Sequence, residues 1–211
     1  MEESAPATPA PPSAPGAEQY PALDFANSAI ALPGGQFVDL LGTPADAGRW
    51  LADHGLAPAG TDAGLREMCA AQLRTLREQI RALLASQVDG HPVPTGALNA
   101  VNDALTRAPA SDLLRWDPTR GLYRAAPHPT TQIVDHALAT LAASAADLLT
   151  GPDAGRLTAC GSAPCNRYLL RHGRRTWCSV RCGDRARAAR AYARRTQAAH
   201  DAGARLAQAG P

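Results

Sequence analysis

The sequence has no lysine: all 21 of its basic residues are arginine. Together with abundant alanine, glycine and proline, this points to a GC-rich bacterial coding sequence, which bears on codons rather than on function. Aromatic residues are scarce, at 4% of 211 residues, so a core must be built mainly from leucine, alanine, valine and isoleucine. A hydrophobic content of 45% suffices for one domain of ordinary size plus a small module. There is no nucleotide-binding glycine-rich loop, no nucleophile elbow and no His-Glu metal motif, so nothing argues for catalysis and the chain is expected not to be an enzyme. No stretch reads as long and apolar enough to span a membrane. The N-terminus, MEESAPATPAPPSAPGAEQ, opens on acids and lacks the basic flank and apolar run of a signal peptide. A cytoplasmic protein with reduced thiols is the expectation.

What is present is unevenly distributed. Between Arg156 and Arg205 stand twelve arginines against Asp184 and Asp201, a local charge of +10, while the rest of the chain nets −8. An acidic body with a basic tail implies a polyanionic partner for the tail; the plainer reading is a solvated basic helix. Residues 1–19, with five prolines in the first fifteen positions, read as a disordered tail. Residues 20–150 read as a helical domain. Thr43-Pro44 opens a helix that Gly55 ends, with Trp50 and Leu51 inward. Asp62 opens the longest helix, to about Gln87, whose apolar stripe runs through Leu65, Cys69, Leu73, Leu76, Ile80, Leu83 and Leu84. Thr95–Arg107 is a further helix with Leu98, Val101 and Leu105 inward. A small hairpin is expected around Asp117–Arg120, and a last body helix from Pro129 or Thr130 to Thr150. Residues 151–155 read as a linker. Cys69 is expected to be a buried core thiol, and His128 and His136 surface residues.

The other four cysteines are spaced C-x4-C-x12-C-x3-C: Cys160, Cys165, Cys178 and Cys182. Two close thiolate pairs separated by a dozen residues suit one tetrahedral Zn2+ with no open position, which makes the site structural rather than catalytic. Iron and free thiols are the lesser alternatives. Gly161 and Pro164 let the first pair wrap the ion. Residues 167–171 and 174–177 can form strands around His172-Gly173. Ser179 caps a helix that carries Cys182 near its electropositive start. Arg167, Arg174, Arg181 and Arg185 are close enough in sequence to offset the thiolate charge. The fold class is thus mainly α: a helical N-terminal domain followed, over 156–200, by a small treble-clef-like zinc finger of knuckle, β-hairpin and basic helix.

This segment resembles the CGNR zinc finger. Trp177-Cys178-Ser179 and Cys182-Gly183-Asp184-Arg185 match its signature, except that Asp184 stands where the family has asparagine. Upstream, Leu23-Asp24-Phe25-Ala26-Asn27-Ser28, Asp39-Leu40-Leu41 and Trp50-Leu51 followed by Gly55-Leu56 resemble the helical domain paired with that finger. The family label, stress-induced transcription regulator, implies DNA binding; for a DNA-binding regulator the body is expected to sense a signal or to form a homodimer. Asp24 and Asn27 are its motif residues here, and they either fix a turn or belong to a ligand site; the turn is the plainer reading.

From Val180 the chain reads as helix to about Arg205. Cys182, Ala186, Ala189 and Ala193 share a small-residue face that can lie against the finger or the body. Arg187, Arg190 and Arg194 form a second face, and Arg181, Arg185 and Arg195 a third. With Arg174 and Arg175 these are the candidate nucleic-acid contacts, because arginines at helical spacing can follow phosphates or enter a groove. The alternative is a protein-interaction module, the finger a clip and the helix docked on an acidic partner or on the chain's own body.

Overall fold

In a computed structural model of the chain, residues 12–58, 64–108, 113–125 and 132–208 are described below. The first helix, α1 (Pro21–Ala26), buries Ala22, Leu23, Phe25 and Ala26, so the Leu-Asp-Phe motif is a single helical turn driven into the core. A two-stranded antiparallel ribbon follows, β1 (Ala29–Ala31) with β2 (Phe37–Asp39). In α2 (Pro44–Asp53), Thr43 is the N-cap and Pro44 takes the first turn, as the sequence predicts, and Asp46 completes a reciprocal capping box with Thr43. Trp50 and Leu51 are buried, and Gly55 follows with φ +67°.

The body is completed by α3 (Glu67–Asp89), α4 (Thr95–Leu105) and α5 (Ile133–Thr150), with an antiparallel hairpin, β3 (Leu113–Asp117) and β4 (Gly121–Ala125), between the last two. Leu73, Leu76, Ile80, Leu83 and Leu84 of α3 are buried as their spacing predicts. The helix starts at Glu67 rather than Asp62, which lies outside the described residues, and Cys69 is half-buried rather than fully enclosed. In α4 the inward face is Ala97, Val101 and Ala104. Leu98, expected inside, is 44% exposed, because small residues let α4 sit close to α3 and α5 with that face turned in.

One expectation about apolar runs is overturned. Helix α5, with 18 residues and mean hydropathy 1.2, is long and apolar enough to cross a membrane by length and composition. Its alanines and leucines serve the body instead: Ala137, Leu138, Leu141, Ala142, Ala145 and Leu148 are buried, and α5 packs on α1, α3 and α4. It begins at Ile133, and the expected start at Pro129 or Thr130 lies outside the described residues, as does His128.

Residues 151–155 are not a loose linker. Gly151 N–H donates to Asp147 O at 2.8 Å, Tyr20 Oη to Asp153 at 3.2 Å, and Arg156 pairs with Asp153 at 2.5 Å, tying the end of α5 to the finger. The finger contains β5 (Leu157–Ala159), antiparallel to β6 (Tyr168–Leu170), then α6 (Val180–Gln208). The predicted partner strand at 174–177 does not form. Residue 168–170 backbone pairs backwards with 157–159, so the knuckle that carries Cys160 and Cys165, not His172-Gly173, closes the hairpin. Gly173 does sit in a turn, with φ +55° and Arg175 N–H donating to His172 O at 3.0 Å.

The expected disordered tail over 1–19 is corrected for residues 12–19; residues 1–11 lie outside the described ones. Ala14 is 1% exposed against the cysteine cluster, and Leu170 N–H donates to Pro15 O at 2.8 Å, so the segment lies along β6. Gly16 has φ +96°, and a Cβ there would stand 2.5 Å from the Leu170 side chain, so only glycine fits. Proline content predicts disorder only where no surface is offered, and here β6 offers one.

Body and finger share one core: Leu157 and Leu170 belong to the same buried cluster as Phe25, Ile80 and Leu141. Polar clamps close the seam. Asn27 Nδ2 donates to Tyr168 O at 2.8 Å, and its Oδ1 accepts from Tyr168 N–H at 2.7 Å. Asn166 does the same in return, donating to Ala29 O at 3.1 Å and accepting from Ala31 N–H at 3.0 Å. Arg81 donates to Ala26 O at 2.6 Å and Asn166 O at 2.9 Å, with its guanidinium 5.3 Å from the Tyr168 ring centre. Asn27 is therefore an inter-module clamp rather than a turn-fixing residue.

Candidate metal centre

The Cys160–Cys165 loop is folded by its backbone. Cys160 N–H donates to Arg167 O at 2.8 Å, Gly161 N–H to Thr176 O at 2.9 Å, and Cys165 N–H to Ser162 O at 2.9 Å. The second pair sits at the root of α6, where Ser179 Oγ accepts from Cys182 N–H at 3.2 Å, the N-terminal cap its sequence position predicts. Gly183 fits under Trp177, whose ring a Cβ would meet at 3.3 Å.

The four Sγ atoms lie within 4.8 Å of one another, and Cys160, Cys178 and Cys182 are buried. Cys165–Cys178 and Cys178–Cys182 sulfurs are each 3.6 Å apart. A tetrahedron of sulfurs about 2.3 Å from Zn2+ has edges of about 3.8 Å, so the donor set has the size and chemistry of a zinc site. Electrostatics agree. Hydrogen bonds from Cys165 and Cys178 hold the Cys160 thiol down at about 2. The Cys160 sulfur in turn pushes Cys165 up to about 11 and raises Cys178 as well. Metal binding requires deprotonated thiolates, and a divalent ion offsets the repulsion among sulfurs packed this closely.

Positive groups surround the sulfurs. Arg167, 3% exposed, donates from Nη1 to Cys178 Sγ at 3.8 Å and from Nη2 to Pro12 O at 2.8 Å. Its Nε is the one buried side-chain polar atom among the described residues without a hydrogen-bond partner. A guanidinium so enclosed needs nearby negative charge, which four thiolates around Zn2+ supply as a net −2. Arg185 donates to Cys182 Sγ at 3.3 Å, Ser162 Oγ at 3.1 Å and Ala163 O at 3.0 Å, fastening α6 to the knuckle. Cys178 N–H donates to Cys160 Sγ at 3.5 Å. Of the four arginines expected near the metal, Arg167 and Arg185 reach sulfur, whereas Arg174 and Arg181 are exposed. The chain thus has one structural Zn2+ site, Cys160, Cys165, Cys178 and Cys182, and the ion would supply cross-linking there.

The arginines assigned to nucleic acid divide into two groups. Arg174, Arg175, Arg181, Arg190, Arg194 and Arg195 are exposed. Arg185 is committed to the knuckle, and Arg187 pairs with Asp184. The Arg187 and Arg190 guanidinium groups lie 5.8 and 5.5 Å from the Trp177 ring centre. The small-residue face packs only at its root: Cys182 and Ala186 are buried, but Ala189 and Ala193 are exposed. From Arg187 to Asp201 the described side chains are exposed, Ala191 alone being half-buried, so this part of α6 does not lie along the acidic body.

Asp24 faces a second feature, a cavity of about 420 Å³ at the seam, lined by Asn27, Val38, Trp50, His54 and Arg167 among others. Asp24 accepts from His54 Nε2 at 2.9 Å and Ser13 Oγ at 3.2 Å, while His54 Nδ1 meets Trp50 O at 2.7 Å and its ring stacks on Trp50 at 3.8 Å. Burial pushes the Asp24 carboxyl up, but hydrogen bonding and charge from His54 carry it below its ordinary 3.8. Burial pushes His54 down, but the Asp24 bond, the Trp50 carbonyl and Asp24 charge carry it above 6.5. Sequence reading singled out Asp24 without His54, thirty residues on, and missed Asn166 and Arg81. Nothing in their local spacing marks them, because their partners lie across the seam.

Comparison with known families agrees with this architecture. The family described as "Putative stress-induced transcription regulator" (ABATE) matches residues 19–152, and the CGNR zinc finger matches residues 156–195. No curated protein matches the chain. The match over residues 19–152 places the chain in the ABATE family, and the four sulfurs lie in the CGNR zinc finger that follows.

Proposed function

We propose that the chain is a DNA-binding transcription regulator in which the metal-held finger fixes the root of α6 and the arginines beyond it meet DNA. The observation that carries this reading is the state of α6. Its first turns are locked by Cys182, Arg185 and Ala186, yet the described part beyond carries Arg194 and Arg195 into solvent, with Arg190 exposed beside the Trp177 ring. A helix without tertiary packing draws little stability from its own sequence, and a polyanion along the arginine face would supply the rest. Arg181, Arg174 and Arg175, exposed near the same root, extend the basic surface. Arg185 and Arg187 act as positioning residues, the first through the knuckle and the second through Asp184 and Trp177. The seam cavity suits a sensing role for the body, and the reading is of a non-enzymatic cytoplasmic protein.

The test is a titration of the zinc-loaded protein with duplex DNA at two salt concentrations, alongside Arg190/Arg194/Arg195→Ala. Weaker binding and a salt slope shallower by about 0.9 per lost phosphate contact are expected. No binding of the unaltered protein at low salt would defeat the reading. Val180 at 74% and Tyr192 at 64% exposure favour a second one, an acidic protein partner, since phosphates make no use of apolar side chains. Binding of an acidic polypeptide, in the absence of DNA binding, would select it.

A further inference from the structure

The zinc site is not sealed on all sides. A cleft of about 320 Å³ at the seam has one wall from the body, Ile30 to Pro33 with Gln36, and the other from Ser179, Arg181 and Arg185 at the root of α6. Its floor includes Cys165, Cys178 and Cys182, whereas Cys160 does not line it. Cys165 is half-buried and the other three are buried. A fully enclosed four-sulfur centre is inert because reagents cannot reach it; thiolate reactivity follows exposure and nearby positive charge. Here Arg167 and Arg185 donate to Cys178 and Cys182, and no carboxylate lines the cleft.

We propose that this cleft admits a small peroxide to Cys165 and that the four-cysteine site is an oxidisable one, closing a Cys165–Cys178 disulfide. Cys165 sulfur attacks one peroxide oxygen. The S–O bond forms, the O–O bond breaks, and the departing hydroxide takes a solvent proton to become water, leaving a Cys165 sulfenic acid. Cys178 sulfur, 3.6 Å away, then attacks Cys165 sulfur. The S–S bond forms, the S–O bond breaks, and a second hydroxide leaves and is protonated to water. Two sulfurs have lost two electrons and the peroxide has gained them. The site is left with half its donors, too few to hold the ion, and Cys178 no longer fixes the root of α6. Cys69, on α3 in the body, lies outside this chemistry. The inference rests on the metal site alone and does not depend on DNA binding.

The experiment treats zinc-loaded full-length protein with hydrogen peroxide, following released zinc with a chromophoric chelator and mapping disulfides by mass spectrometry. Expected are loss of the one bound zinc per chain, a Cys165–Cys178 bridge, Cys69 and Cys160 still open to alkylation, and recovery of metal binding after reduction. Two variants sharpen it. Cys69→Ser should release zinc at the unaltered rate, and Gln36→Trp, which narrows the cleft mouth without touching a ligand, should slow release several-fold. Zinc retained while Cys69 oxidises, a bridge to Cys160, or release at an unchanged rate in Gln36→Trp with its zinc content intact would each overturn the proposal.

Discussion

The helical body and the finger reach stability by opposite means. The body buries large side chains from α1, α2, α3, α4 and α5 in one cluster, whereas the cluster around the cysteines has only Ala14 and Leu169 besides the ligands, with Trp177 partly buried beside them. Apolar burial stabilises by roughly 25 cal/mol per Å² and needs many side chains; four sulfurs on one ion concentrate a comparable energy in a few atoms. The comparison shows why a segment so short of apolar residues can present a helix rigidly, and why it should fail differently from its neighbour.

The largest expected effect tests that difference. Cys178→Ser, or removal of zinc with a strong chelator, should forfeit about 10–16 kcal/mol of metal-linked folding energy and melt the finger. Metal analysis and circular dichroism should show zinc lost and the helical signal of α2–α5 retained. Retention of one zinc per chain by the variant would show that the ligands are wrongly assigned. Next in size is the body's own failure. Leu141→Ala, at a position 0% exposed, should cost about 2–5 kcal/mol in urea unfolding while the zinc content of the folded protein stays unchanged.

The seam limits how separate the two modules are. Asn27→Ala should cost about 1–3 kcal/mol, since it strands the half-buried Tyr168 N–H and C=O groups. A double-mutant cycle with Asn166→Ala should give a nonzero coupling energy; strict additivity would mean the two clamps do not act on one interface. The smallest expected effect is a pH dependence. His54, raised above 6.5, contributes stability that is fully present below that value and lost as pH rises through its folded pKa. Asp24, depressed below 3.8, contributes stability present above that value and lost as pH falls through its folded pKa. The pair should therefore help most between the two, and His54→Gln should flatten the change in urea midpoint between about pH 6 and about pH 8. An equal slope in the variant would remove the pair from the account.

Much of this was legible beforehand where one element answers to one local pattern. The cysteine spacing, the Thr43 and Ser179 caps, and the leucine stripe of α3 carry their structural meaning within a few residues. The zinc ligands belong to that class. What was not legible depends on surfaces brought together from far apart. The proline-rich segment from Pro12 to Gln19 finds β6, β5 pairs β6 across the knuckle, and Asn27 reaches residue 168. Charge at helical spacing was misleading in a further way: eight arginines read as one class of contact, yet Arg185 is spent on Ser162 and Ala163, and Arg187 on Asp184. Periodicity says which residues share a face; it is silent about which of them already have partners.

The course of the chain over Pro15 and Gly16 has a practical corollary. Strand β6 is flanked by β5 on one edge and by Pro15 on the other, so it behaves as an interior strand although its sheet has only two members. A finger excised at residue 156 would keep its four sulfurs but bare that edge, with Leu170 no longer covered by Gly16. An uncovered edge beside an apolar side chain invites pairing between molecules. Zinc alone would therefore not make the excised piece well behaved, and a fragment meant for binding studies should carry residues 12–20 with it.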